Sequence, residues 1–224
     1  MLYEILQKVK ETGGDQEGKR YGVEIGIVTD VRDPEKLGRV KVQYPRLPGG
    51  PESTWARVAQ PAAGAGRGFY WIPEIGDEVL IAFELGDPRC PYVIGALWNG
   101  KDKPMNGAYQ DDNTTRMIQT KSGHKIVLCD KSGDEKIVIA DKSQKRTITF
   151  DVKKKKFVVQ ADEGDIELHA AKGKIVLDCE DLEIKTSKTT KIDVGDKFNL
   201  HVCSDATIKA DGNLKIKATR VNIN

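Results

Sequence analysis

An all-β fold in two parts follows from the sequence: a small barrel, then a long ladder of short strands. From Ile118 to Asn224, apolar residues recur as pairs separated by one residue. The rungs are Ile126/Leu128, Ile137/Ile139, Ile148/Phe150, Phe157/Val159, Ile166/Leu168, Ile175/Leu177, Leu182/Ile184, Ile192/Val194, Leu200/Val202, Ile208/Ala210, Leu214/Ile216 and Val221/Ile223. Residues i and i+2 of a strand share a face, so each pair adds to one apolar stripe. Ahead of the ladder, residues 21–99 alternate apolar and polar in five short runs divided by Pro/Gly turns. The aromatics are uneven as well. Trp55, Trp71 and Trp98 all precede the ladder, which holds only Phe150, Phe157 and Phe198. With so few large side chains, the ladder is expected to bury its stripe against copies of itself.

Residues 1–20 open with Leu2, Ile5, Leu6 and Val9, at i, i+3, i+4 and i+7. That spacing predicts a short amphipathic helix, marginal alone and so expected to dock on something. A polar linker starting at Gly13-Gly14 follows. Strands are expected over Val23–Val31, Arg39–Tyr44, Thr54–Val58, Glu78–Glu84 and Pro91–Leu97. Turns fall at Asp33-Pro34 to Gly38, at Pro73 to Asp77 and at Gly86 to Arg89, with Pro61–Gly68 read as a loop. Five short antiparallel strands in residues 21–99 suit an OB-type barrel. Residues 100–117 are a polar connector, and 118–224 are the ladder.

Composition removes several classes. The net charge is only +2, which exerts no global pull toward nucleic acid or anionic membrane. Cys90, Cys129, Cys179 and Cys203 form no C-x-x-C, so neither a zinc site nor a disulfide framework is expected. They read as reduced thiols of a protein made in the cytoplasm. No run of 18 apolar residues occurs. His124, His169 and His201 are too dispersed for a catalytic or metal set. The Gly-rich stretch Gly64–Gly68 lacks the Gly-Lys-Ser/Thr of a phosphate loop, and no serine sits in a Gly-x-Ser-x-Gly elbow. Glu74, Asp77 and Glu78 flank a turn without a convergent partner, and Lys153–Lys156 reads as a solvated corner. No catalytic constellation, metal site or cofactor is expected.

Several runs then coincide with a known family. They are Gly26-Ile27-Val28, Asp33-Pro34, Gly38-Arg39-Val40-Lys41-Val42, Trp55-Ala56-Arg57-Val58, Pro73 through Leu80, Phe83-Glu84, Gly86-Asp87-Pro88, Pro91 through Gly95, and Asn99-Gly100. In this order they resemble the OB domain of the spikes of contractile injection machines: phage baseplate protein V, the valine-glycine repeat (VgrG) proteins of type VI secretion, and extracellular contractile systems. Thr120 through Ile126 resembles the start of that family's β-helix.

The resemblance implies an intertwined trimeric triple-stranded β-helix over 118–224. It implies a central spike in the baseplate of a phage tail or tail-like particle, ejected on contraction to pierce a target cell envelope. The partners implied are two further copies, a separate hub protein, inner tube and baseplate proteins, and a PAAR-type tip protein. Leu2, Ile5, Leu6 and Val9 would dock the hub, and Arg220, Val221, Asn222, Ile223 and Asn224 would seat the tip. A separate hub is expected because only about 20 residues precede the barrel. No lysozyme insert, effector domain or His-x-His iron site is expected. Two other classes stay open. One is an OB-fold nucleic-acid binder with an oligomerising β-helical tail, although stacking aromatics amid interleaved basic residues are lacking. The other is a β-helical enzyme, which the rung spacing disfavours.

Overall fold

Alternation in the first hundred residues produces one curled sheet in the computed structural model, which describes residues 18–222. Leu2, Ile5, Leu6 and Val9 therefore lie outside the described residues, as do Ile223 and Asn224. The sheet contains β1 (Val23–Asp30), β2 (Lys41–Gln43), β3 (Arg57–Val58), β6 (Glu78–Phe83) and β7 (Pro91–Ala96), in the order β2-β1-β6-β7-β3. Bridges Val40↔Ala56 and Gln43↔Glu52 tie the chain entering β3 back to β2. Joined at both edges, the sheet curls as an OB barrel does.

Two details differ from the sequence expectation. β3 runs parallel to β7, with Arg57 opposite Tyr92 and Val58 opposite Val93. Alternation specifies a strand and its buried face but carries no strand direction. Pro61–Gly68, expected as a loop, contains a tiny hairpin, β4 (Ala63–Gly64) and β5 (Arg67–Gly68). Two-residue strands of Ala and Gly leave no periodic signal to read.

The barrel core is Val28, Val40, Val42, Tyr44, Ala56, Val79, Ile81 and Val93. Gly26 lets β1 approach its neighbours: a Cβ there would lie 3.0 Å from Val42 Cβ and 3.1 Å from Ile81 Cγ1. Burial pushes the Tyr44 phenol up to about 12.

The turn between β1 and β2 closes on Asp33. Its carboxylate accepts the backbone N–H groups of Glu35, Leu37 and Arg39, and the Arg39 guanidinium at 2.7 and 3.1 Å. The guanidinium bonds dominate, and Asp33 is held far below the usual carboxylate range. Asp30 and Asp87 are held at about 2, chiefly by hydrogen bonds from the Arg32 and Arg89 side chains. All three are depressed in the fold. Their contribution is therefore fully present above the unfolded carboxylate value of about 3.9, and is lost as pH falls below it toward the folded values. Thermal melts of the barrel should be flat from about pH 8 to 5 and fall below about pH 4. Asp33→Asn should lower the neutral-pH midpoint and shrink that acid loss.

Starting at Thr115, within the stretch 100–117 expected as connector, five consecutive strands form a second sheet, an antiparallel meander. They are β8 (Thr115–Gln119), β9 (Lys125–Cys129), β10 (Lys136–Ala140), β11 (Arg146–Asp151) and β12 (Lys156–Ala161), in spatial order β12-β11-β10-β9-β8. The first rungs thus pair within one chain. Their registers match: Ile118, Ile126, Ile139, Ile148 and Val159 stand opposite one another in turn. Arg116, Leu128, Ile137, Phe150 and Phe157 form the second column. Phe150 and Phe157 meet with ring centroids 4.8 Å apart. Directly opposed side chains are the unit of sheet stability, so matched rungs fix the register. A one-residue slip would carry a strand's apolar pair to the other face. That face carries a central column of Met117, Val127, Val138, Thr149 and Val158, flanked by mostly polar residues.

The hairpin joining β10 to β11 is clasped by Asp141, which accepts the Arg146 guanidinium at 2.8 Å and the Ser143 hydroxyl. The Arg146 bond is the main reason the Asp141 carboxyl sits far below its usual range. His124 Nδ1 accepts the Lys142 N–H at 3.2 Å.

The chain divides into two units, the first ending at Glu167 and the second spanning Leu168–Asn224. Among the described residues of the second, no strand is assigned. Its rung side chains are open to solvent, with Leu168 72% and Ile208 74% exposed. Thr186 and Thr190 share a hydroxyl hydrogen bond of 2.9 Å, and Gly173 N–H donates to Ala170 O at 3.3 Å.

Candidate functional site

The feature that most needs a function is the two-column face of the meander. Ile118, Ile126, Leu128, Ile137, Ile139, Ile148, Phe150, Phe157 and Val159 lie on it, all between 37% and 62% exposed. Full burial of one such side chain is worth roughly 1.5–3 kcal/mol, so covering the half that is open contributes on the order of 10 kcal/mol per chain. A contiguous apolar face of this kind marks an interaction surface. Among the described residues its outer strand, β12, is paired only on its β11 side, leaving a row of backbone donors and acceptors for another strand.

A groove of about 630 Å³ continues the face toward the barrel, lined by Phe69, Trp71, Trp98, Met105 and Met117 among others. Phe69 and Trp71 stack at 6.1 Å, and Trp98 is 66% exposed. Trp71 and Ile118 line both this groove and the hollow over the meander's Ile126–Ile139–Ile148 column. The strands expected from the sequence include none of these aromatics. The i, i+2 spacing of Phe69 and Trp71 was the available signal that both rings share a side.

The acidic cluster around the Pro73–Asp77 turn has a fixed structural use. Asp77 accepts the Glu74 N–H at 2.8 Å and so closes the turn. Glu74 pairs with Lys121 at 2.8 Å, linking barrel to meander, and raises the lysine pKa chiefly through that hydrogen bond. Glu78 accepts the Asn99 side-chain amide at 3.0 Å. Each carboxylate is thus committed to a different partner, rather than paired for acid–base work.

Lys153–Lys156 lies where β11 turns into β12, and Lys154 pairs with Asp151 at 3.2 Å. Of the outer barrel aromatics, Trp55 carries the Lys41 ammonium over its ring at 5.5 Å, and Tyr92 carries the Arg57 guanidinium at 5.5 Å. Lys41 also pairs with Glu52, and Tyr92 donates to Glu84. Each of these rings is thus engaged by a cation of the barrel itself. Cys203 Sγ lies 3.6 Å from His201 Nε2, and all four cysteines are free thiols. Among the described residues, no group of three or more His, Cys, Asp or Glu could hold a metal ion. No helix among them is long and apolar enough to cross a membrane. Of the residues expected to seat a tip protein, Arg220 donates to the Asn222 side chain at 3.1 Å, and Val221 is 52% exposed.

Comparison with known proteins assigns the barrel. Residues 24–98 match the type VI secretion system/phage-baseplate injector OB domain. Residues 24–98 thus carry an injector OB domain, and the chain is similar to VgrG spike proteins. Among its relatives, the spike protein VgrG3 of Vibrio cholerae is 32% identical over 110 residues, covering 45% of this chain and 11% of VgrG3. The spike protein VgrG1c of Pseudomonas aeruginosa is 27% identical over 176 residues, covering 59% of this chain and 24% of the relative. The V. cholerae actin cross-linking toxin VgrG1 is 40% identical over 74 residues, 31% of this chain and 7% of the toxin. The chain therefore spans less than a quarter of the length of these curated relatives. What it shares with the family is anchored in the barrel, whose core and Asp33 clasp fall inside the matched residues.

Proposed function

We propose that this chain is the shaft-bearing spike of a contractile injection machine and works as a homotrimer. The observation that carries the reading is the two-column apolar face, uncovered in one chain and attached to an injector OB domain. Three copies related by a three-fold axis turn these faces inward as the three sides of a prism. Beyond β12, each chain's remaining rungs have the spacing of a strand stack but, among the described residues, no strand partner in their own chain. Strands of the other two copies supply that pairing, beginning at the open edge of β12, and the ladder continues as an intertwined triple-stranded β-helix. Each layer adds about 4.8 Å to the shaft.

The mechanism is mechanical and needs no reaction. Hydrogen bonds between stacked layers run along the shaft and resist compression when a contracting sheath drives it into a target envelope. The barrel serves as the collar, facing a hub, with Leu2, Ile5, Leu6 and Val9 as the hub contact. Arg220 through Asn224 seat a PAAR-type tip. Interspersed Lys and Asp/Glu on the outer faces keep the rod soluble.

Light scattering of the purified chain, read with its mobility in SDS with and without heating, tests this. A mass of three chains and an SDS-resistant band that collapses on boiling are expected. A monomer at micromolar concentration contradicts the spike reading.

A further inference from the structure

Two Asn-Gly pairs stand in sharply different settings. Asn99 is locked: its Oδ1 accepts the N–H groups of Lys101 and Asp102 at 2.9 and 2.7 Å, and its Nδ2 donates to Glu78 at 3.0 Å. Asn106 lies in the connector at the first central position of a turn closed by Ala108 N–H to Met105 O at 3.0 Å. Gly107 follows at φ +82°, which makes the turn type II. Asn106 and Gly107 are both exposed, and no side-chain hydrogen bond holds the Asn106 amide among the described residues. A Cβ on Gly107 would meet nothing within 4 Å, and the residue carries no side chain beside its nitrogen.

We propose that Asn106 is a site of spontaneous deamidation, built into the connector between collar and meander, and that Asn99 is protected from the same reaction. The Gly107 backbone nitrogen attacks Asn106 Cγ. A C–N bond forms, the Cγ–Nδ2 bond breaks, and ammonia leaves carrying the proton lost from the Gly107 nitrogen. Water then opens the cyclic imide at either carbonyl, giving aspartate or isoaspartate. Only water is consumed, and nothing is oxidised or reduced.

At Asn99 the same attack must first free an amide held by three hydrogen bonds, one of them to a carboxylate. Each event at Asn106 adds a negative charge to a connector already carrying Asp102, Asp111 and Asp112. The isoaspartate product also lengthens the turn by one backbone methylene. Chains held in a long-lived assembly would accumulate this change with age.

The test ages the full chain in its native oligomeric state at mildly alkaline pH, beside a urea-unfolded sample, followed by tryptic peptide mapping. Asn99 falls in the peptide Cys90–Lys101. Asn106 falls in Asp102–Arg116, because Lys103 precedes Pro104 and resists trypsin. Fragmentation locates the change, and labelled methyl transfer by an isoaspartyl methyltransferase reports the isomer. In the folded chain, Asn106 should convert at least about tenfold faster than Asn99, and the two should become equal in urea. Asn106→Gln should remove the methyl-accepting product from the Asp102–Arg116 peptide. Equal rates in the folded chain, or slower conversion of Asn106 folded than unfolded, would overturn the proposal. The readout is chemical, so it stands or falls separately from the trimer.

Discussion

Ile139→Asp leaves the chain monomeric while the collar stays folded. Ile139 sits mid-column, with Ile126 on one side and Ile148 on the other. In the trimer three such carboxylates would enter the prism at one height. Desolvating each costs several kcal/mol, and like charges at short range add to that. The apolar burial that holds the face is of similar size, so the assembly should be lost at micromolar concentration. The SDS-resistant band should vanish, while the collar's thermal transition should hardly move. Ile139→Val should keep the trimer, losing one buried methylene per copy. Val138→Thr should keep it as well, because Val138 belongs to the opposite face. If Ile139→Asp assembles normally, the two-column face is not an interface.

Ile81→Ala separates the collar from the shaft in a second way. Ile81 is fully buried, and β6 is paired on both sides, to β1 and to β7. Its truncation should cost about 2–5 kcal/mol, much of the stability of a domain this small. At about 4–8 °C per kcal/mol, the collar's midpoint should fall by roughly 8–40 °C. The shaft's resistance to SDS should be unaffected. Calorimetry should then resolve two transitions, with only the lower one displaced. A single transition moving as a whole would mean that collar and shaft unfold as one unit.

Much of the fold was legible because period-two alternation is a local signal. Val40, Val42, Val79 and Ile81 alternate with polar or less buried neighbours and all turn inward. The ladder was readable for the same reason, and the matched columns follow from rungs of equal size joined by short turns. Non-local information was not legible. Nothing in Trp55–Val58 says that β3 joins the far edge of the sheet in parallel, because that is decided by the path between strands. The pairing of the first rungs within one chain was hidden too, since the same i, i+2 pattern suits a partner from either chain.

The candidate site was partly readable. Its stripe is written in the sequence, whereas the groove depends on Trp71 and Trp98 meeting Met105 and Met117 across distant segments. The Lys41–Trp55 and Arg57–Tyr92 stacks also needed the fold.

Amide hydrogen exchange over residues 168–222 of the purified chain tests the central claim most directly. These amides have no strand pairing within their own chain. Strong protection, comparable to that of β9 and β10 and lost together with the SDS-resistant band on heating, is the result expected if other copies supply the pairing. Rapid exchange throughout 168–222, in a sample whose collar and meander are protected, would contradict the trimeric shaft.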